Sequence, residues 1–260
     1  MCELLGMSAN VPTDICFSFS GLIRRGGETG PHKDGWGIAF YEGRAIREFR
    51  DPQPSCSSEI ARFVRDFPIK SRIVISHIRQ ANVGGVSLEN THPFVRELGG
   101  RLWCFAHNGQ LTTHEDLRSS HFSPVGTTDS ERAFCWLLGG IKDEFPWGEE
   151  VAGTAALASY IKERCDCLRE RGVFNMLFSD SEHLFAYCST KLSWITRHAP
   201  FGCATLQDAE LTVDFCQETT PRDLVTIIAT EPLTSDEVWH SMEAGELLVF
   251  RNGEKLLQLR

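Results

Sequence analysis

Apolar and polar positions along the chain fall into short alternating or β-branched runs, broken by glycine-rich and polar segments, with a few stretches of helical spacing. Residues 2–7, CELLGM, read as a strand that begins at the N-terminus. In 14–24, DICFSFSGLIR, the apolar Ile15, Phe19 and Leu22 recur at helical intervals behind Asp14 as N-cap. After a glycine-rich loop through Gly37, GWGIAFYEGRAIREFRDP predicts a hairpin turning at Glu42-Gly43. Residues 57–67 predict a helix capped by Ser57 or Ser58. SRIVISHI at 71–78 predicts a strand ending at Arg79, and GRLWCFA at 100–106 one ending at His107-Asn108-Gly109. TTHEDLRS at 112–119 resembles a capped helix start. TTDSERAFCWLLGGI, from 127, predicts a helix opening at Thr128 or Asp129, and 151–171 a further helix.

A hairpin with a polar Asp180-Ser181 turn follows, in FNMLFSDSEHLFAYCS. KLSWITRH, AELTVDFC and LVTIIATE then read as strands, and ELLVFRNGEKLLQL as a hairpin with Asn252-Gly253 at its turn. Strands outnumber helices and hairpins join most neighbours, so the pattern predicts an α+β fold with antiparallel sheets. No repeat or linker interrupts it, and residues 1–260 read as a single domain.

Composition narrows the function classes. With 42% hydrophobic and 23% charged residues the chain reads as an ordinary soluble protein. A net charge of -9 without a basic run argues against nucleic acid as a partner. No apolar stretch approaches the ~20 residues of a membrane span, and the start, MCELLGMSANVPTD, lacks the basic n-region of a signal peptide. Ten cysteines without an export signal are therefore expected to be reduced thiols of a cytoplasmic protein. Cys165-x-Cys167 has no histidine nearby, and His77, His92, His107 and His114 show no metal-ligand spacing, so no metal site is expected. A Gly-x-x-x-x-Gly-Lys loop is absent and nucleotide use is not indicated.

Chemistry concentrates at position two. Cysteine is small enough for the initiator methionine to be removed, which would leave a thiol and a free α-amine on one residue, a nucleophile beside its own base. If Met1 stays, that arrangement is blocked. Three polar groups at strand ends each carry two readings. Arg79 is either a solvated charge or a bidentate grip on a carboxylate. Asn108-Gly109 is either a hairpin turn or an oxyanion hole, with a side-chain amide and a backbone N–H that a Cβ would crowd. Thr128-Asp129-Ser130-Glu131 is either a helix N-cap or a carboxylate that binds an ammonium group.

Taken in order, Cys2, Asp34-Gly35-Trp36-Gly37, His77-Ile78-Arg79, Thr91-His92-Pro93, His107-Asn108-Gly109 and Thr128-Asp129-Ser130-Glu131 resemble the glutaminase domain of the class II glutamine amidotransferases, in the N-terminal nucleophile hydrolase superfamily. Ala229-Thr230-Glu231-Pro232-Leu233 and the Trp239 to Gly245 region look like the ending of its stand-alone, YafJ-like subgroup. The resemblance implies a four-layer αββα sandwich, two antiparallel sheets between helical layers. It implies Cys2 as the nucleophile that forms a γ-glutamyl thioester, Asn108 and Gly109 as oxyanion donors, Arg79 for the substrate α-carboxylate, and Asp129 for its α-ammonium. His92 matches a histidine near the pocket rim in a supporting role.

No cofactor is implied. The implied substrate is glutamine, giving glutamate and ammonia that is released or passed to a separate ammonia-accepting enzyme. Another γ-glutamyl small molecule cleaved by a γ-glutamyl peptide hydrolase, and a catalytically idle amino-acid-binding subunit, are the alternatives. The glycines of loop 25–36 would let it move over the pocket.

Overall fold

The first strand lies in the middle of a sheet, between strands from far along the chain. The protein is described by a computed structural model covering residues 2–81, 84–145, 153–209, 211–214 and 220–260. In chain order the elements are β1 (Glu3–Thr13), α1 (Cys16–Arg25), β2 (Trp36–Glu42), β3 (Ala45–Asp51), α2 (Glu59–Asp66), β4 (Ser71–Ile78), β5 (Phe94–Leu98), β6 (Arg101–Leu111), α3 (Asp129–Glu144) and α4 (Thr154–Arg169). There follow β7 (Gly172–Ser179), β8 (Leu184–Tyr187), β9 (Ser193–His198), β10 (Cys203–Thr205), β11 (Thr212–Asp214), β12 (Leu224–Ala229), β13 (His240–Ser241), β14 (Leu247–Arg251) and β15 (Glu254–Leu259). One antiparallel sheet has the order β13-β9-β12-β1-β4-β2-β3, the other β15-β14-β8-β7-β6-β5, and β10 pairs with β11 apart from both.

Side-chain alternation along the strands builds the layers. Leu5, Met7 and Ala9 of β1 pack with Phe19 and Leu22 of α1 and with Ala61 and Val64 of α2. Leu4, one residue over, joins Cys104 and Ala106 of β6 and Leu177 of β7 between the sheets. Trp103 and Phe105 of β6 face Phe134 and Leu138 of α3 and Ile161 of α4. The result is the αββα sandwich that the resemblance implies, with three apolar layers. Each large side chain buried in them stabilises the fold by about 1.5–3 kcal/mol. The sheets approach closely at Gly6, where a Cβ would lie 3.1 Å from a Leu177 methyl.

The hairpin turning after Glu42, the cap at Ser58, the cap at Thr128 and the Asn252-Gly253 turn follow the sequence pattern. Several boundaries do not. α1 starts one residue later than an Asp14 cap requires: Ile15 is the N-cap residue, and Asp14 Oδ1 accepts from the Cys16 amide at 3.2 Å. Residues 112–119 form no helix, because the Thr112 amide is drawn to the Arg171 carbonyl (2.9 Å), leaving one turn closed by Leu117 N–H to His114 O. The helix expected over 151–171 runs Thr154–Arg169, with 151–152 outside the described residues. Of AELTVDFC only Thr212–Asp214 pairs, against β10; Glu210 and 215–219 lie outside the described residues. β5 was not expected. It hairpins onto β6 through Gly99 and Gly100, both at positive φ (65° and 74°), the left-handed pair that a tight two-residue turn requires.

The largest correction bears on the site. β6 does not end at residue 106 but runs through His107, Asn108 and Gly109 to Leu111, paired with β7 as His107↔Met176, Asn108↔Asn175 and Gly109↔Phe174. Asn108-Gly109 is therefore strand and not a hairpin turn.

Candidate active site

Antiparallel pairing brings position two to Arg79. The register Glu3↔Ile78 sets the first residue of β1 against the last of β4, so Cys2 and Arg79 leave their strands side by side. Cys2 is buried, and the Gln80 amide donates to its Sγ at 3.3 Å. Burial pushes its thiol pKa up, while that backbone N–H and the neighbouring Arg79 charge pull the other way.

Arg79, 3% exposed, is held by main-chain oxygens. Its Nη1 donates to Gly85 O at 3.0 Å and its Nη2 to Gly84 O at 3.2 Å, while its own amide donates to Gly35 O at 2.8 Å. The solvated-charge reading of Arg79 is thus overturned. Desolvation lowers its pKa, opposed by the negative charge of Cys2, Asp34 and Asp129 around it.

β6 contributes from both faces. By the alternation that sends Trp103 and Phe105 toward the helices, His107 and Gly109 face α3, and Asn108 faces the other sheet. The Asn108 side-chain amide donates to Thr230 Oγ1 at 3.3 Å, and the same oxygen accepts the Leu4 amide at 2.9 Å. Asn175 supports the strand from β7, donating to Asn108 O at 3.0 Å while its own Oδ1 takes the amides of Ser189, Thr190 and Lys191. Gly109 is obligatory, because a Cβ there would lie 1.8 Å from Val173 O.

Asp129 opens α3 behind the Thr128 cap, whose hydroxyl accepts the Glu131 amide at 3.2 Å. The cap reading of this motif holds, and Asp129 also faces the cavity. Asp129 Oδ2 accepts the Leu111 amide at 2.7 Å, tying α3 to the end of β6. His92 is buried, its ring 4.2 Å from His77 and 4.4 Å from Phe94. Desolvation holds His77, His92 and His107 below the ordinary histidine pKa, so all three are neutral. His107 bonds Ser130 Oγ (2.8 Å) and Val173 O (3.1 Å), which fixes its ring. Among the described residues no group of three or more His, Cys, Asp or Glu is placed to hold a metal ion.

Five of the six residues singled out in the sequence, Cys2, Arg79, His92, Gly109 and Asp129, line one small cavity. Asn108 stands behind it, on the face of β6 that looks toward β1. Thr230, Asn175 and Gln80 were not singled out individually. Thr230 lies in the Ala229–Leu233 motif that the sequence flagged, but its role is visible only through contacts over more than 120 residues of chain. Loop 25–36 is tied down at its start by Arg25, which donates to Glu3 (3.0 Å), Asp208 (2.8 Å) and the carbonyls of Glu231 and Pro232.

Comparison with known proteins agrees with this architecture. A family model described as class-II glutamine amidotransferases matches residues 1–260. The chain is 60% identical to YafJ of Escherichia coli (strain K12), named as a glutamine amidotransferase, over 99% of this chain and 100% of that one. A crystal structure described as a predicted glutamine amidotransferase from Pseudomonas aeruginosa is 57% identical and superposes with a TM-score of 0.79, over 98% of this chain and 100% of that one. The glutamine phosphoribosylpyrophosphate amidotransferase of Bacillus subtilis shares the fold at 17% identity and a TM-score of 0.62, over 100% of this chain and 49% of its own.

Proposed function

The chain belongs to the class II glutamine amidotransferases, and from that premise we propose that it hydrolyses the γ-amide of glutamine through a Cys2 thioester. One observation carries the reading: a buried cysteine at position two shares a small cavity with a buried arginine, a buried aspartate and a glycine backbone. Arg79 and Asp129 are opposite charges that would read the α-carboxylate and α-ammonium of an amino acid, leaving its side chain for Cys2.

After removal of Met1, the neutral α-amine takes the thiol proton and Sγ attacks the γ-carbonyl carbon. The Asn108 side-chain amide and the Gly109 N–H hold the oxyanion, and these donors are fixed in advance by Thr230, Asn175 and the β6–β7 ladder. The intermediate collapses as the α-ammonium protonates the amide nitrogen, the C–N bond breaks and ammonia departs, leaving the thioester. Water then attacks the thioester, the amine again taking a proton, and glutamate leaves with the thiol restored. His92 lies at the cavity wall as a neutral, buried ring with a supporting role. The ammonia is released or handed to a separate accepting enzyme. No helix among the described residues is long and apolar enough to cross a membrane. The nine described cysteines are unpaired, which supports a reducing, cytoplasmic setting.

Intact mass with and without 6-diazo-5-oxo-L-norleucine, a glutamine analogue that alkylates the nucleophile, tests the proposal. The expected result is loss of Met1 and one adduct mapped to Cys2. Retained Met1 without an adduct favours an idle amino-acid-binding subunit. Processed but unlabelled protein points to another γ-glutamyl substrate, to be assayed by amino-acid release in place of ammonia.

A further inference from the structure

Arg79 follows β4 of one sheet and Asp129 opens α3, which packs on the other, yet a two-charge reader of an amino acid needs them at a fixed separation. Between them lies Asn90, 3% exposed, in the turn Leu88–Asn90. Its Nδ2 donates to Gly85 O at 3.1 Å, the carbonyl that also accepts from Arg79 Nη1. The same Nδ2 lies 3.3 Å from Thr127 Oγ1, and its Oδ1 accepts the Thr127 amide at 2.8 Å. Thr127 immediately precedes the Thr128 cap that launches Asp129. The packing leaves no slack. A Cβ on Gly84 would meet Thr127 Oγ1 at 3.1 Å and Asn90 Nδ2 at 3.2 Å, and one on Gly126 would lie 2.3 Å from Asn90 Oδ1.

We propose that Asn90 is a positioning residue, one carboxamide that sets the spacing between the carboxylate-reading Arg79 and the ammonium-reading Asp129 and so decides selectivity for a free α-amino acid end. This rests on the function proposed above. A carboxamide suits the task because it donates and accepts within one rigid plane. Two of its bonds go to main-chain groups, Gly85 O and Thr127 N–H, whose places fix a charged side chain one step further on. Asn90 touches no reacting atom and acts only through Gly85 and Thr127.

The test compares wild type, Asn90→Ala and Asn90→Asp on L-glutamine and on L-glutaminamide, whose α-carboxylate is capped. Amide hydrogen exchange is followed over residues 84–91 and 123–128. Asn90→Ala is expected to raise KM for L-glutamine about tenfold with kcat changed less than about threefold, and to reduce the preference for L-glutamine over L-glutaminamide. Both segments lose protection together. Asn90→Asp keeps the acceptor for Thr127 N–H and loses the donor to Gly85 O, so it restores protection over 123–128 but not KM. Equal losses on the two substrates, a fall in kcat alone, or exchange unchanged in either segment overturns the proposal. Wild type inactive on both substrates overturns the proposed activity instead, and the exchange of the two segments then decides on Asn90 by itself.

Discussion

Asn108 donates its side-chain amide to Thr230 Oγ1 at 3.3 Å, across the gap between the two sheets. The acceptor is already held by the Leu4 amide, so the Asn108 carboxamide is aimed from the strand that carries Cys2. Thr230→Val keeps the shape and removes the acceptor. It should lower kcat about tenfold with KM little changed, against about 10²–10³-fold for Asn108→Ala. Steady-state kinetics on both variants checks this, and a Thr230→Val kcat equal to wild type would remove Thr230 from the account.

The two charges proposed to read the substrate, Arg79 and Asp129, predict a different signature. Arg79→Ala and Asp129→Asn should each raise KM about tenfold or more, with kcat reduced less than about threefold, because uniform binding of the amino-acid end is lost. Measuring both constants on L-glutamine decides; KM unchanged in both variants sinks the assignment.

Stability should follow the buried histidines. His77, His92 and His107 are held below the ordinary value of 6.5 by desolvation, so the unfolded chain takes up protons first as the pH falls. Their contribution is whole above about pH 6.5 and is lost progressively below it, by about 1–4 kcal/mol in total between pH 7.5 and 5.5. Urea unfolding at those two pH values is the measurement, and a midpoint that does not fall on acidification contradicts it.

Arg25 is enclosed by Glu3, Asp208 and two carbonyls, its side chain 8% exposed. Removing it leaves Glu3 buried with its charge unmatched beside Cys2. Arg25→Met should cost about 3–5 kcal/mol of stability, read as a drop in urea midpoint, and Glu3→Gln added to it should recover part of the loss. Simple additivity of the two substitutions would show that the pair is not coupled.

How far the site was legible in the sequence depended on the reach of each cause. Thr128 as cap, the turn after Glu42 and Gly253 in its turn are local matters of backbone chemistry, and the pattern reports them. The strand ending at Arg79 was legible because SRIVISHI carries a β-branched run and closes on Ile78. β6 was cut short because His107-Asn108-Gly109 looks polar and turn-like. What keeps it extended is β7, through Asn175 and Val173, more than sixty residues later. The helix expected at 112–119 lost to Arg171 for the same reason. Thr230 lay in a flagged motif, but neither its role nor that of Asn90 is local, since each acts by joining segments that only the finished fold brings together.

That β1 pairs on one side with β12, as Leu5↔Ala229, has a consequence for the order of events during synthesis. Thr230 and the strand that flanks β1 emerge from the ribosome late, so the nascent chain leaves its first residues unpaired on that side for most of translation. In the finished fold Cys2 is only 9% exposed. Trimming by a methionine aminopeptidase, on which the proposed chemistry depends, thus has its natural interval while the chain is still being made. Arrival of β12 then closes the sheet beside that start.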